Sequence, residues 1–221
     1  MKTLIIASSL AIISSLTQAN EIAAIDGASN QMNIEQLTRL SQQTDGYEKG
    51  YALYRLAINA NILGQKSKAL SALQEAESLL ASEQDNGEVA TLLAAIYGMQ
   101  IGLDLTKGRS YGPKVSAAIN TAENLVPDSP RLALVKAISA YSTPVEYGGS
   151  MQHAIELGSR AIELFEKPCD NICWGYAEAY TWRGLAKQNL GDQQGAVADW
   201  KAALRVQSDY AWASFLLKQN Q

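Results

Sequence analysis

Small and bulky apolar residues recur at helical spacing between Ala177 and Ala211. Gly191-Asp192 divides this stretch into two helical patterns, because a glycine followed by a polar residue is typical of a turn. In the second pattern Ala196, Trp200 and Ala203 lie at positions i, i+4 and i+7, on one face of a helix. Small residues beside an aromatic ring allow two antiparallel helices to approach closely. The pattern therefore predicts a helix hairpin that buries one face against a neighbouring unit.

This stretch resembles the tetratricopeptide repeat, a helix–turn–helix unit of about 34 residues that stacks into a superhelix. The residues that carry the resemblance are Tyr180, Gly184, Gly191, Ala196, Trp200 and Ala203. Two positions depart from the family pattern: Arg183 replaces a large apolar residue, and Ser208 stands where a proline is usual. The resemblance implies a stack of helix hairpins with a continuous concave surface.

Three weaker copies of the pattern precede this one, and their second helices carry Ala76, Ala122 and Ala161 as the last small residue. The separations between these residues exceed the family's roughly 34, so we expect insertions in the turns. The chain is thus predicted to be all-α, an α-α superhelix of about four hairpins with capping helices, within residues 33–221. The predicted hairpins cover about residues 50–83, 87–127, 130–167 and 177–208.

Some local features of the copies bear on packing and helix ends. Gly158 stands where the family usually has a bulky residue, so it should either weaken the packing or admit a neighbour closely. Residues 100–112 extend the second copy; their first part should lengthen the helix, and the rest should project as a loop. Asn33 and the Ser129-Pro130 pair have the composition of helix starts.

The first residues have the composition of a secretory signal peptide. Lys2 precedes an apolar, serine-rich stretch that ends in Thr17-Gln18-Ala19, which predicts cleavage before Asn20. The alternative is an ordinary N-terminal helix. Residues 20–32 contain Gly, Ser and Asn without periodicity and are predicted to be a flexible lead-in. A signal peptide at residues 1–19 predicts that the mature protein is periplasmic or secreted in a bacterium.

Composition and charge narrow the classes of partner. The chain is 47% hydrophobic, which is ample material for a core. Its net charge of -4 and pI of about 5.1 offer no general attraction to nucleic acid or anionic lipid. The apolar run within residues 1–19 is too short to span a bilayer, so no integral membrane segment is expected in the mature chain.

The sequence offers little catalytic chemistry. The sequence shows no residues that would form a catalytic arrangement with His153. It also shows no metal-ligand spacing, no phosphate-binding loop and no nucleophile elbow. We therefore expect no enzyme activity, no cofactor and no metal. Cys169 and Cys173 would form a local structural disulfide in an oxidising compartment, although the spacing also suits two thiols on one helical turn. Two ligands alone make a poor metal site.

The predicted function is a non-catalytic binding module or scaffold of the bacterial cell envelope, with a protein or peptide partner. In the family, the first helix of each hairpin lines the concave side, which suits an extended peptide or a partner helix. That assignment gives these groove residues: Tyr51, Tyr54, Ile58, Asn61, Glu88, Thr91, Met99, Arg131, Leu134, Ile138, Tyr141, Glu178, Thr181, Leu185 and Gln188. The Leu and Ile members would equally suit packing between repeats.

The sequence is also compatible with other functions. The chain could be an accessory subunit of an envelope enzyme or transport complex, for which convergent polar residues in a closed pocket would be the sign. It could instead be a structural subunit that self-associates through an apolar patch on an end helix. A further alternative places the binding site on the inserted segment Lys107 to Tyr111 rather than on the concave groove.

Export gives the first testable prediction. Because Ala19 completes the small-residue site, protein purified from its native host should begin at Asn20 and lie outside the cytoplasm. N-terminal sequencing of that protein measures the outcome directly. Recovery of Met1 would contradict the prediction.

Overall fold

A computed structural model of the protein describes residues 18–83, 85–169 and 171–220. Within these residues the chain folds into α-helices joined by turns, with short 3-10 helices at Leu105–Lys107 and Val145–Tyr147. The helices are α1 (18–30), α2 (Ile34–Gln43), α3 (Gly46–Ile62), α4 (Lys66–Leu80), α5 (Gly87–Leu103), α6 (Gly108–Leu125), α7 (Pro130–Ser142), α8 (Met151–Phe165), α9 (Tyr176–Asn189), α10 (Gln193–Val206) and α11 (Ala211–Gln219). The predicted signal segment, residues 1–19, lies almost entirely outside the described part of the chain.

The helices pair into hairpins that stack in chain order. α3 packs with α4, α5 with α6, α7 with α8, and α9 with α10. The odd-numbered helices also contact one another, α3 with α5, α5 with α7 and α7 with α9, so they form an inner layer behind which the even-numbered helices lie. The all-α solenoid of four repeat-like hairpins with capping helices is therefore confirmed. No helix of the described residues combines the length and the apolar character needed to cross a membrane.

The last hairpin shows how small and bulky residues fit together. Trp200 is fully buried between α9 and α10, and its indole Nε1 donates a hydrogen bond to the Thr181 carbonyl oxygen at 3.3 Å. A Cβ atom placed on Gly184 would lie 2.6 Å from that nitrogen. Position 184 therefore has to be glycine for the ring to lie against the backbone of α9.

Two departures from the family pattern complement each other. A Cβ atom placed on Gly158 would lie 3.1 Å from the Cβ atom of Arg183, so the glycine admits the arginine closely. Arg183 donates two hydrogen bonds to the buried carboxylate of Asp199, at 2.9 and 2.6 Å, and one to Ser159 at 3.0 Å. Lys187 also pairs with Asp199, at 2.8 Å. Arg183 therefore forms an ion pair within the fourth hairpin, between α9 and α10, and a hydrogen bond to α8 of the preceding one.

The predicted helix starts are present. The Asn33 side chain accepts a hydrogen bond from the Gln36 backbone N–H at 2.9 Å, and α2 begins at the next residue. Ser129 accepts one from the Leu132 N–H, and Pro130 is the first residue of α7. These caps satisfy backbone donors that a helix start leaves free.

Two predictions about irregular segments are wrong. Residues 20–32, expected to be a flexible lead-in, belong mostly to α1, whose Ile22 and Ile25 are fully buried. Their spacing of three places both on the face that enters the core, so α1 adds a helix to the amino-terminal end of the stack, before α2, which packs on α3. The expected loop after residue 106 is largely helical, because α6 already begins at Gly108.

The close fit at Gly184 gives a stability prediction. Gly184→Ala should lower the free energy of unfolding by roughly 1–3 kcal/mol, because the new methyl group would displace Trp200. The matched control is Gly98→Ala in α5, where a Cβ atom would meet nothing within 4 Å. That change should raise the free energy of unfolding by about 0.4–1 kcal/mol, since it restricts the unfolded chain. Urea unfolding followed by far-UV circular dichroism measures both, and equal effects would contradict the packing described for α9.

Candidate binding surface

The predicted groove residues all lie on the inner layer of helices, but many do not face open space. Thr91 and Thr181 are fully buried, and each hydroxyl donates to a carbonyl oxygen of its own helix, at 2.8 and 2.9 Å. The predicted exposure is wrong for the buried members of the set, which are Tyr51, Tyr54, Thr91, Arg131, Leu134 and Thr181. The half-buried members are Ile58, Glu88, Met99, Ile138, Tyr141, Glu178, Leu185 and Gln188, and Asn61 is exposed.

A buried polar network, which we call the inner polar cluster, fills the amino-terminal half of this surface. Arg55 on α3 donates from Nε to Ser29 Oγ on α1 at 3.0 Å, and from Nη1 to the Glu178 carboxylate on α9. Its Nε lies 3.9 Å from Asp26 Oδ1, and Tyr51 donates its hydroxyl proton to the same oxygen at 2.5 Å. The cluster, completed by Asn59, therefore joins α1, α3 and α9 across the inside of the superhelix.

Charge and burial oppose each other in the inner polar cluster. Burial raises the pKa of Asp26 to about 6, although the Arg55 guanidinium and the Tyr51 hydroxyl act in the opposite direction. Burial likewise raises the pKa of Tyr210, whose ring lies near Glu178 and Arg55. Two carboxylates, Asp26 and Glu178, thus share one buried guanidinium. This arrangement favours the neutral form of Asp26.

The segment before α9 carries the disulfide and an aromatic anchor. Cys169 and Cys173 are bonded, with their Cα atoms 5.8 Å apart. The next residue, Trp174, is buried; its Nε1 donates to the Tyr47 hydroxyl at 2.9 Å, and its ring stacks on Tyr51 with centroids 5.0 Å apart. The bridged loop thereby holds the start of the fourth hairpin against α3, which begins the first.

A second arginine organises the same half of the surface. Arg131 at the start of α7 donates two hydrogen bonds to the Glu88 carboxylate of α5, at 2.7 and 2.8 Å, and another to the Ile172 carbonyl oxygen. Its side chain is buried, and that of Glu88 is 14% exposed. Both residues were predicted to contact a partner, and in the folded chain they contact each other.

The carboxyl-terminal half of the surface is different, because aromatic rings lie there at half exposure. Tyr141 on α7 contacts Trp182 on α9 edge to face at 5.2 Å, and Trp182 contacts Trp212 on α11 in the same way at 5.0 Å. Asn189 donates to the Tyr141 hydroxyl at 3.1 Å. We call these three rings the aromatic row. Leu185 lies on the same helix as Trp182, one turn further on.

The inserted segment Lys107 to Tyr111, predicted above as an alternative binding site, takes part in a polar contact between the first two predicted hairpins. Glu77 on α4 accepts hydrogen bonds from Gln100 at 2.7 Å, Tyr111 at 2.9 Å and Lys114 at 2.7 Å. Burial alone would raise the pKa of Glu77, but these hydrogen bonds outweigh it and hold the pKa below its ordinary value. Lys107 donates to Gln100 at 2.9 Å. A shallow cavity of about 270 Å³ lies beside this contact. The segment is therefore tied to α4 and does not project as a loop.

Sequence reasoning missed most of the inner polar cluster and part of the aromatic row. The prediction missed Asp26 and Ser29 because the Gly, Ser and Asn content of residues 20–32 favours an irregular segment. The three-residue spacing of Ile22 and Ile25 was the signal for a helix there. Arg55 had a recognisable signal: it is a charge between the apolar residues of the middle of α3, on the same face as the tyrosine four residues earlier. Trp182 and Trp212 stand neither at positions of the repeat motif nor at the positions that the groove spacing selects, so no signal in the sequence indicated them.

The histidine and the buried arginines each have a partner within the chain. His153 is exposed on α8, and its Nδ1 lies 3.3 Å from Oε2 of Glu156 on the same helix. Within the described part of the chain, no three His, Cys, Asp or Glu side chains gather as metal ligands would. The buried charged groups of the inner layer, Arg55 and Arg131, are committed to carboxylates of neighbouring helices.

Comparison with known proteins agrees with this architecture. No protein-family model matches the chain, and a search of curated proteins gives no match. Among solved structures, a thermophilic TPR protein from Thermus thermophilus is similar at 16% identity, with 93% of this chain and 98% of that chain covered and a TM-score of 0.58. The HusA haemophore from Porphyromonas gingivalis is similar at 22% identity, covering 78% of this chain and 92% of that one, with a TM-score of 0.52. At these identities the likeness shows the fold, which is a tetratricopeptide-repeat-like solenoid.

The raised pKa of Asp26 predicts a pH-dependent stability. The folded state holds the Asp26 proton up to about pH 6, whereas the unfolded chain releases it near the ordinary pKa of 3.8. The contribution of Asp26 to the free energy of unfolding should therefore be largest below pH 4 and fall as pH rises to about 6. Because the side chain is 21% exposed, the change should be at most on the order of 3 kcal/mol.

Asp26→Asn should remove this part of the pH dependence, since the amide keeps an acceptor for Tyr51 without the charge. Urea unfolding at several values between about pH 4 and 7 would measure it. Glu35→Gln, which changes an exposed carboxylate on α2, is the control and should leave the profile unchanged. Parallel profiles for the wild type and Asp26→Asn would contradict the electrostatic description of the inner polar cluster.

Proposed function

We propose that the chain is a non-catalytic binding module of the bacterial cell envelope that holds a peptide or helix of another protein against the aromatic row. The observation that carries this proposal is the continuous contact of Tyr141, Trp182 and Trp212 at half exposure, which runs from α7 and α9 of the inner layer to the terminal helix α11. Aromatic side chains with a polar tip supply large contact area at little cost in conformational entropy, and they are enriched where binding energy concentrates.

The amino-terminal half of the inner surface is a weaker candidate for the same role. Its arginines and tyrosines already have partners within the chain, and a ligand would have to break those contacts before making new ones. Displacing one partner of a buried charge pair leaves the other uncompensated, which is strongly unfavourable. The half-exposed Leu185 and Gln188 extend the aromatic row instead, and Gln188 donates to Asn220 at 2.7 Å. We therefore assign binding to the carboxyl-terminal half.

The envelope location rests on two observations. Residues 1–19 have the charge and apolar pattern of an exported segment. Cys169 and Cys173 are at bonding distance, and such bridges persist in oxidising compartments. An accessory subunit of an envelope complex would use the same surface, and self-association would place a second copy on it. The binding experiment below distinguishes a foreign partner from a second copy by the mass of the product.

A planar macrocycle is a second candidate ligand. The neighbour from Porphyromonas gingivalis is a haemophore, and the aromatic row offers ring faces and edges that a flat apolar ligand could contact. The chain's one histidine is on the outer helix α8, so Tyr141 would be the ligand available to an iron at this site. Haemin titration with absorbance detection tests this candidate. A spectral shift that Tyr141→Phe abolishes would support it, and an unchanged spectrum would exclude it.

Partner binding is tested by site-specific photocrosslinking in the native host. A photoreactive residue at Gln188 should give a discrete covalent product, whereas the same residue at the exposed Lys201 of the outer helix α10 should not. Adding Tyr141→Ala should lower the yield at least about tenfold, which corresponds to about 1.4 kcal/mol of binding free energy.

The matched control is Tyr147→Ala, which removes a tyrosine of 78% exposure in the turn that follows α7. It should leave the crosslinking yield unchanged. Thermal unfolding of both variants checks that the fold is retained. Loss of the product in Tyr147→Ala with retention in Tyr141→Ala would place binding outside the inner layer and overturn the proposal.

A further inference from the structure

Exposed apolar residues collect along one edge of the superhelix. Each turn between the first and second helix of a hairpin lies at the carboxyl end of an inner helix, and these inner helices stack side by side. All four turns therefore share one edge. Each carries at least one exposed large apolar side chain: Ile62 and Leu63, then Leu105, then Val145 and Tyr147, then Leu190. Leu105, in the 3-10 helix after α5, is 81% exposed.

The first two turns combine this apolar character with positive charge. Lys66 and Lys68 follow Ile62 and Leu63, and all four side chains are exposed. The second turn carries Lys107 and the exposed Arg109 beside Leu105, with Asp104 as its acidic residue. We call Ile62, Leu63, Lys66, Lys68, Leu105 and Arg109 the basic apolar edge.

The first two turns are neighbours, because α3 contacts α5 and the two turns follow the carboxyl ends of these helices. The exposed side chains of the two turns therefore form one patch. Lys66 and Lys107 also help to hold the pKa of Asp104 below its ordinary value, after the hydrogen bonds from the Thr106 hydroxyl and backbone N–H. The other two turns differ, because Glu146 is the charged residue of the third, and Lys187 and Asp192 flank Leu190 in the fourth.

We propose that the basic apolar edge binds the surface of an anionic lipid bilayer. Its aliphatic side chains are exposed in neighbouring turns, where they can insert among lipid headgroups. Lysine and arginine beside such side chains add attraction to anionic headgroups over a Debye length. The whole chain carries a net charge of -4, which argues against general attraction to such a surface. The local excess of positive charge therefore also orients the molecule, with its first two turns toward the membrane.

The test is cosedimentation of the full protein with vesicles of phosphatidylcholine alone or mixed with phosphatidylglycerol. Binding should be strong to the anionic vesicles at low salt, weak to the neutral ones, and reduced by high salt. Ile62→Ser with Leu105→Ser should lower the bound fraction by about tenfold or more, since lipid contact scales with buried apolar area. Lys66→Gln with Arg109→Gln should lower it in anionic vesicles only.

The matched control is Val145→Ser with Leu190→Ser, which removes two exposed apolar side chains from the other end of the same edge. This variant should bind as the wild type does. Equal loss in the control and in the Ile62/Leu105 variant would overturn the assignment to the basic end. Absence of binding to anionic vesicles would overturn the lipid proposal and favour an acidic protein surface as the ligand of this edge. Equal binding to neutral and anionic vesicles would overturn the preference for an anionic bilayer.

Discussion

The inner layer of this solenoid depends on how one guanidinium is satisfied. Arg55 is buried in the middle of α3, where an unpaired charge would be very costly. Its partners come from two parts of the chain that are distant from α3 in sequence: Asp26 and Ser29 on α1, and Glu178 on α9. Tyr51 and Asn59 on α3 add hydrogen bonds to Asp26 and Ser29. The same polar network therefore holds both α1 and α9 against α3.

Local packing could be predicted from the sequence because the helical period and the sizes of side chains fix it. Gly184 and Trp200 belong to one hairpin, and a turn of known length brings them together, so their contact follows from spacing alone. The start of α7 could also be predicted from the sequence, since Ser129 and Pro130 satisfy local requirements of a helix terminus. The pairing of Gly158 with Arg183 could be predicted only in part. Each departure was visible, but their complementarity depends on the register between two hairpins.

What could not be predicted is the set of contacts between distant hairpins. A repeat motif describes one unit and its neighbours, and it contains no information about Tyr47 meeting Trp174 or Arg55 meeting Glu178. The predicted exposure failed at Tyr51 and Arg131 for this reason: both are buried, and both contact the segment before α9, Tyr51 through Trp174 and Arg131 through the Ile172 carbonyl oxygen. The binding role of the half-exposed residues, such as Leu185 and Gln188, remains a prediction.

The anchoring of Trp174 on α3 has a consequence for the way this protein can be divided. Repeat arrays usually tolerate the removal of a terminal unit, because each unit contacts only its neighbours and stability is nearly a sum over adjacent pairs. Here the hydrogen bond from Trp174 to Tyr47 spans 127 residues and joins the first hairpin directly to the fourth. Trimming the carboxyl end would uncover the rings of Tyr47 and Tyr51 at the opposite end of the chain. The hairpins therefore form a closed cooperative unit, and this stack lacks the modularity for which repeat proteins are usually engineered.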